Sequence, residues 1–301
     1  MARVRLPHLA LTLAASIWLA ILCLAPVDWP LLARLWFLPL IGTAGAIIAN
    51  TSGTGGGVVF VPVFSIFREW GVLDLSPIEV TAASFLIQCF GMTMGAARWT
   101  DRLIHQPAGP DAPVRLGDYA RICAVVLLIS LPVMLATQRL AAFDAQSVLL
   151  GFKGFSILFG SVLLIATWTV NRDLPERRQL APVDLAVVAL LAVPGGFVTA
   201  FFSVGVGELV ALYLFTRHYP VLLSTGAACV ISAVSVLAGA IWHVDAGTIP
   251  WEVVLLAGPG AMVGGFLARP IALWLGALRL KTLDGLWIVG SSLYLVALNW
   301  R

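Results

Sequence analysis

Two glycine clusters constrain this chain more than any other feature, because each breaks an apolar stretch in which glycine is normally scarce. The first is Asn50-Thr51-Ser52-Gly53-Thr54-Gly55-Gly56-Gly57, and the second is Phe202-Ser203-Val204-Gly205-Val206-Gly207-Glu208. Such a break leaves backbone N–H and C=O groups without helical partners. Lipid cannot satisfy them, so the broken segment must be buried in protein or line a polar cavity. Two breaks at matching places in the two halves of a chain point to the substrate site of a secondary carrier.

The surroundings of these breaks are those of a membrane protein. Sixty per cent of the residues are hydrophobic, 11% are charged and the mean hydropathy is +0.98. A soluble domain of this size would have too little polar surface to cover its core. The chain is expected to be an all-α, multi-pass integral membrane protein, since the weak ten-residue alternation of a β-barrel is absent. Spans are predicted at 9–25, 78–98, 118–137, 146–169, 221–242, 251–275 and 281–299. Tryptophans 29, 36, 70, 99, 242, 251 and 300 stand near segment ends, as interfacial anchors do. Cys23, Cys89, Cys123 and Cys229 lie in apolar helices without CxxC spacing, and are expected to be small buried residues. The N-terminal stretch is taken as a retained helix rather than a cleaved leader, because no convincing small-x-small site follows it.

Loop charge sets the topology. Positive residues gather at Arg3 and Arg5, at Arg98, Arg102 and Arg115, at Arg172, Arg177 and Arg178, and at Arg217, Arg279 and Lys281. The positive-inside rule puts these in the cytoplasm. The glycine segments 35–69 and 183–216 must then each enter and leave on one face, from opposite sides. Whether each is a half-depth re-entrant hairpin or two full spans stays open at this stage. One hairpin plus three spans makes an odd number of crossings, so the second half inherits inverted topology. The expected organisation is an N-terminal helix over 1–30, repeat 1 over 31–170 and repeat 2 over 171–301. Internal similarity agrees: Gly55-Gly56-Gly57 aligns with Gly205-Val206-Gly207, and the stretch from Gly95 to Trp99 aligns with that from Gly239 to His243.

At these residues the chain resembles the sulfite exporter TauE/SafE family, also called the toluene sulfonate uptake permease family. The motif GTGGGVVFVP (53–62) is similar to the family's first glycine run. VTAASFLIQCFGMTMGAARW (80–99) and STGAACVISAVSVLAGAIWH (224–243) follow its small-and-hydroxyl helix pattern. The stretch 258–295, beginning GPGAMVGGFLARP and including Arg269, resembles its closing segment. The second glycine motif departs from the pattern at Val206, Glu208 and Leu212. The resemblance implies a carrier of sulfur-containing anions such as sulfite, sulfoacetate or other organosulfonates, working as an exporter coupled to protons. It also implies a bacterial inner membrane location, in which the loop charges put the N-terminus in the cytoplasm and the C-terminus outside.

An anion site needs donors more than it needs full positive charge. Half-helices begin with free N–H groups, and glycine lets backbone approach an oxyanion closely. The expected substrate-binding set is therefore Asn50, Thr51, Ser52, Gly53, Thr54, Gly55, Gly56, Gly57, Ser203, Gly205, Val206 and Gly207. Gln88 and Lys153, polar residues within apolar spans, complete it. Each has a plainer reading: glycines allow tight packing, Gln88 bonds between helices, Asn50 caps a half-helix, and Lys153 snorkels. Glu208 is the candidate carrier of a coupling proton, or else a carboxylate resting at a helix N-terminus. No cofactor or metal is expected, and the expected partners are the anion, protons and the lipid bilayer. An anion channel and a carrier of another small carboxylate or oxyanion are the alternatives. An enzyme is not expected, because no Ser/His or His/Asp constellation is present.

Overall fold

A computed structural model describes residues 5–105, 114–140, 145–169 and 176–298. Arg3, Arg172, Trp300 and Arg301 lie outside the described residues. Among those described, the chain is helical throughout: α1 (Leu6–Leu24), α2 (Trp29–Arg34), α3 (Leu38–Ser52), α4 (Gly57–Glu69), α5 (Pro77–Ile104), α6 (Leu116–Leu140), α7 (Ala145–Thr169), α8 (Pro182–Phe202), α9 (Val206–Thr216), α10 (Val221–Asp245) and α11 (Trp251–Leu298). Seven helices are long and apolar enough to cross a membrane.

Both glycine segments double back. In the first, the Phe37 ring before α3 meets the Phe67 ring near the end of α4, with centroids 5.7 Å apart, and Gly45 faces the Phe60 ring. In the second, Asp184 at the start of α8 accepts hydrogen bonds from Tyr213 (2.6 Å), Arg217 (2.8 Å) and Tyr219 (2.6 Å) around the end of α9. The two hairpins open at opposite ends of the bundle. One end, rich in aromatics, carries Phe37, Phe67 and the Trp70–Tyr294 contact, and there the Asp28 N–H bonds to Glu252 at the start of α11. The other carries Asp184 and Arg217, and there the Leu180 N–H bonds to Asp118. Arg98, Arg102, Arg115, Arg177, Arg178, Arg217 and Arg279 belong to this second, basic end, and Arg34, Arg68 and Arg139 to the aromatic end.

The arms differ in length. At about 1.5 Å per residue, α3 (15 residues), α4 (13) and α9 (11) fall short of a bilayer core of about 30 Å, whereas α8 (21) is long enough to span it. The two arms of the second hairpin nonetheless share their ends, at the Ser203–Val206 tip and at the Asp184–Arg217 bond, and the longer arm carries Pro194. Spans 251–275 and 281–299 are two helical limbs of α11 that meet at a kink, the non-helical residue Gly276 (φ 73°), so the connection between them is tighter than a loop. Two smaller expectations are corrected. Trp99 is buried and donates to the Asn50 carbonyl (3.0 Å), so it is no interfacial anchor. Cys23 is exposed, while Cys123 and Cys229 are buried as expected.

The half-helices hold their depth through backbone-to-backbone packing. α3 lies between α5 and the first limb of α11, and small residues let these backbones touch. A Cβ on Gly42 would collide with the Ala257 carbonyl, one on Gly260 with the Pro39 carbonyl, and one on Gly264 with the Thr43 carbonyl. Thr43 Oγ1 crosses the seam to the Gly260 carbonyl at 3.0 Å. Overpacking a site of this kind costs about 1–3 kcal/mol or more. Gly260→Leu is therefore expected to lower the thermal midpoint of the detergent-solubilised protein sharply. Gly290→Leu, whose added side chain meets open space, is expected to leave it unchanged.

Candidate functional site

The tips of the hairpins meet inside the bundle. α3 ends at Gly53, whose φ of 76° is left-handed, and α8 ends at Ser203, whose φ of 58° is left-handed too. Gly55 (φ 69°) and Gly205 (φ 148°) follow two residues later in each. α4 then starts at Gly57 and α9 at Val206, so two helix N-termini converge with their positive dipole ends inward. Gly57 lies directly against the Phe202 and Ser203 carbonyls, an approach that only a residue without a side chain allows.

Gln88 on α5 ties the tips together. Its Oε1 accepts from the Gly56 N–H at 2.6 Å. Its Nε2 donates to Ser203 Oγ (2.6 Å), to the Ser203 carbonyl (3.1 Å) and to Ser84 Oγ (3.1 Å). Glu208, one turn into α9, reaches back so that its Oε2 accepts from the Gly205 N–H at 2.6 Å. The Val206 N–H is held by Thr199 Oγ1 at 3.0 Å, and Gly207 packs on Ser232. The Gly56, Gly205 and Val206 N–H groups of the broken backbone are thus each answered by a side chain, as their depth demands.

Other expected residues separate into two groups. Ser52 Oγ and Thr54 Oγ1 bond each other at 2.8 Å within the first tip. Asn50 stays inside α3 with its Nδ2 on the Ala46 carbonyl (2.8 Å), so it caps nothing. Thr51 bonds the Ile48 carbonyl (2.9 Å) and lines a cavity. Lys153 is buried elsewhere, with Glu69 and Arg68 at the aromatic end as its charged neighbours, and does not join the tips.

That cavity holds about 120 Å³ between the first tip and the basic end, enclosed in part by Thr51, Trp99, Phe215, Thr225 and Lys281. Thr225 Oγ1 is buried there with no hydrogen-bond partner among the described residues. The Lys281 ammonium sits 3.9 Å from the centroid of the Phe215 ring. An ammonium and the Thr225 hydroxyl beside a small void form a donor pair suited to a compact oxyanion, with Thr51 Oγ1, which donates to the Ile48 carbonyl, as a further wall. Asp284, one turn beyond Lys281, is buried too, and its Oδ1 accepts from Thr54 Oγ1 at 3.3 Å.

Sequence reasoning missed Lys281 and Asp284 as site residues. Lys281 follows Arg279 and passed for a loop cation, but the second limb of α11 begins directly after the kink at Gly276 and carries Lys281 on a helix. A lone aspartate in an apolar span was the available signal for Asp284, because such groups face the protein interior.

The open end of the second hairpin is fixed by charge. Asp184 is fully buried and carries two tyrosine hydroxyls and two arginines, Arg217 and, at 3.4 Å, Arg177. Hydrogen bonding to Asp184 and its charge push the Arg217 guanidinium above its usual range.

No curated protein and no solved structure matches the chain. A family model described as sulfite exporter TauE/SafE matches residues 37–295, which takes in both hairpins, the cavity and the limb bearing Lys281 and Asp284. With nearly its whole length covered, the chain belongs to the TauE/SafE family of membrane transporters of sulfur-containing anions.

Proposed function

We propose that this protein is a proton-coupled secondary exporter of a small sulfur oxyanion, sulfite or an organosulfonate such as sulfoacetate. The observation that carries this reading is the cavity beside the first hairpin tip, lined by Lys281, Thr51 and Thr225, with two helix N-termini converging on the tips. A sulfonate or sulfite group offers three acceptor oxygens. In this reading one meets the Lys281 ammonium and the others meet hydroxyl and backbone donors.

In this reading the basic end faces the cytoplasm of a bacterial inner membrane, with the N-terminus inside and the C-terminus outside, as the arginine distribution favours. The hairpins then act as opposed elements of inverted repeats over 31–170 and 171–301. Recurrence of the left-handed residues at Gly53 and Ser203, and again at Gly55 and Gly205, supports that relation. Rocking of one half against the other would open the cavity to alternate sides. Glu208 is the coupling group: it is buried at the tips, and its Oε1 is without a hydrogen-bond partner among the described residues.

Purified protein in liposomes tests this with sulfite and sulfoacetate, with and without an imposed pH gradient. Saturable flux that the gradient accelerates is expected. Non-saturating flux insensitive to the gradient would instead indicate a channel. Gly56→Leu is expected to abolish flux in folded protein, because its side chain would occupy the place of Gln88 and Phe60.

Lys281→Gln is expected to raise the half-saturating anion concentration about ten- to a hundredfold, the scale of one charge-assisted hydrogen bond. The concentration dependence of initial flux measures it, and unchanged saturation would remove Lys281 from the site. Glu208→Gln is expected to leave counterflow of anion while the response to the pH gradient is lost. A retained gradient response would remove Glu208 from coupling.

A further inference from the structure

The first hairpin tip is flanked by two carboxyl groups that approach it from different helices. Asp284, on the second limb of α11, accepts from Thr54 Oγ1 at 3.3 Å. Glu208, on α9, points its Oε1 at Gly55, the next residue along the tip. Both side chains are more than nine-tenths buried. Each keeps one oxygen without a hydrogen-bond partner among the described residues: Asp284 Oδ2 and Glu208 Oε1. Each therefore has an acceptor position open beside the same two-residue stretch of backbone.

The groups facing this pair are few. From the tip itself come the hydroxyls of Ser52 and Thr54, and from α5 comes the amide of Gln88, none of which titrates near neutrality. Cys229 on α10 lies beside Glu208, and Lys281 stands one turn before Asp284 on its own helix. Lys281 also lines the cavity that reaches toward the basic end, which sets Asp284 about one helical turn from a residue of that cavity. Two charged carboxylates held this close in an apolar interior repel each other, and each loses its hydration. A proton on either one removes the repulsion and gives the open oxygen a hydrogen to donate.

We propose that Asp284 is a second proton-carrying group, sharing the coupling proton with Glu208 and exchanging it with water in the cavity at the basic end. The step is a plain proton transfer. A hydronium in the cavity gives its proton to Asp284 Oδ2 and becomes water, and the proton then passes to Glu208 Oε1 as Asp284 is left ionised. An anion approaching Lys281 and Thr225 meets one negative charge fewer at the tip when the pair is loaded, which ties anion occupancy to protonation. The proposal rests on the transport reading given above, but the residue assignment has a readout of its own.

That readout is infrared difference spectroscopy on the purified protein in detergent, stepping pH without any substrate. A protonated-carboxyl C=O band that titrates is expected in wild-type protein. It should lose intensity in both Asp284→Asn and Glu208→Gln and shift its titration midpoint in Asp284→Glu. A band identical in wild type and Asp284→Asn would overturn the assignment, whatever the transport assay shows. Should Asp284→Asn fail to give monodisperse protein, Asp284→Glu decides alone, and an unshifted midpoint there overturns it.

In liposomes, Asp284→Asn is expected to reduce pH-gradient-driven anion accumulation at least tenfold, with Asp284→Glu restoring most of it. Accumulation equal to wild type in Asp284→Asn would show that the group takes no part in coupling. Absence of anion flux in the wild type would defeat the transport reading and leave the infrared result standing.

Discussion

Unpaired backbone groups cannot be left in hydrocarbon, and the structure is arranged around that constraint. Breaking two helices at mid-depth creates the orphan N–H groups at Gly56, Gly205 and Val206, and each is answered by a side chain: Gln88, Glu208 and Thr199. Those side chains require the tips to be buried, and burial requires the half-helices to sit tightly on full-length neighbours. The glycine seams of α3 against α11 supply that contact, and Gln88 draws both tips onto α5. Fold and site consequently adjoin, because Thr51, near the end of α3 where the first break begins, lines the cavity proposed for the anion.

The two hairpins are built differently. The first is held by aromatic rings at its open end and by backbone contact along its length. The second is pinned at its open end by a buried aspartate with two tyrosines and two arginines. Removing one partner from such a buried charge cluster costs about 3–5 kcal/mol. The second hairpin is thereby anchored to the basic end by charge, whereas the first is held by close backbone contact and by neutral hydrogen bonds from Thr43, Trp99 and Gln88.

Much of this was legible in the chain. Glycine runs inside apolar stretches announced the breaks, and loop arginines were enough to make each segment return to its own face. Resemblance to the family rested on the motifs that now form the first tip and the closing limb. What the sequence hid was depth and continuity. Nothing local distinguishes the full-length α8 from the short arms α3, α4 and α9. Gly276 resembles the start of a loop, yet the helix resumes at once and carries Lys281 inward. Lys153 stands about two turns inside α7 and Lys281 near the start of the second limb of α11, and only packing decides which of them faces a cavity near the tips. Trp99 shows the same limit, since an indole at a segment end is an anchor or a core donor depending on what lies beside it.

A structure of the protein determined with sulfite bound would bear most directly on this arrangement. Density for the anion is expected in the cavity at the first tip, within hydrogen-bond reach of Lys281 Nζ and Thr225 Oγ1, and absent from Lys281→Gln prepared in the same way. Anion density at another place, or a cavity left empty at saturating sulfite in protein that transports it, would contradict a site built from the meeting of the two hairpins.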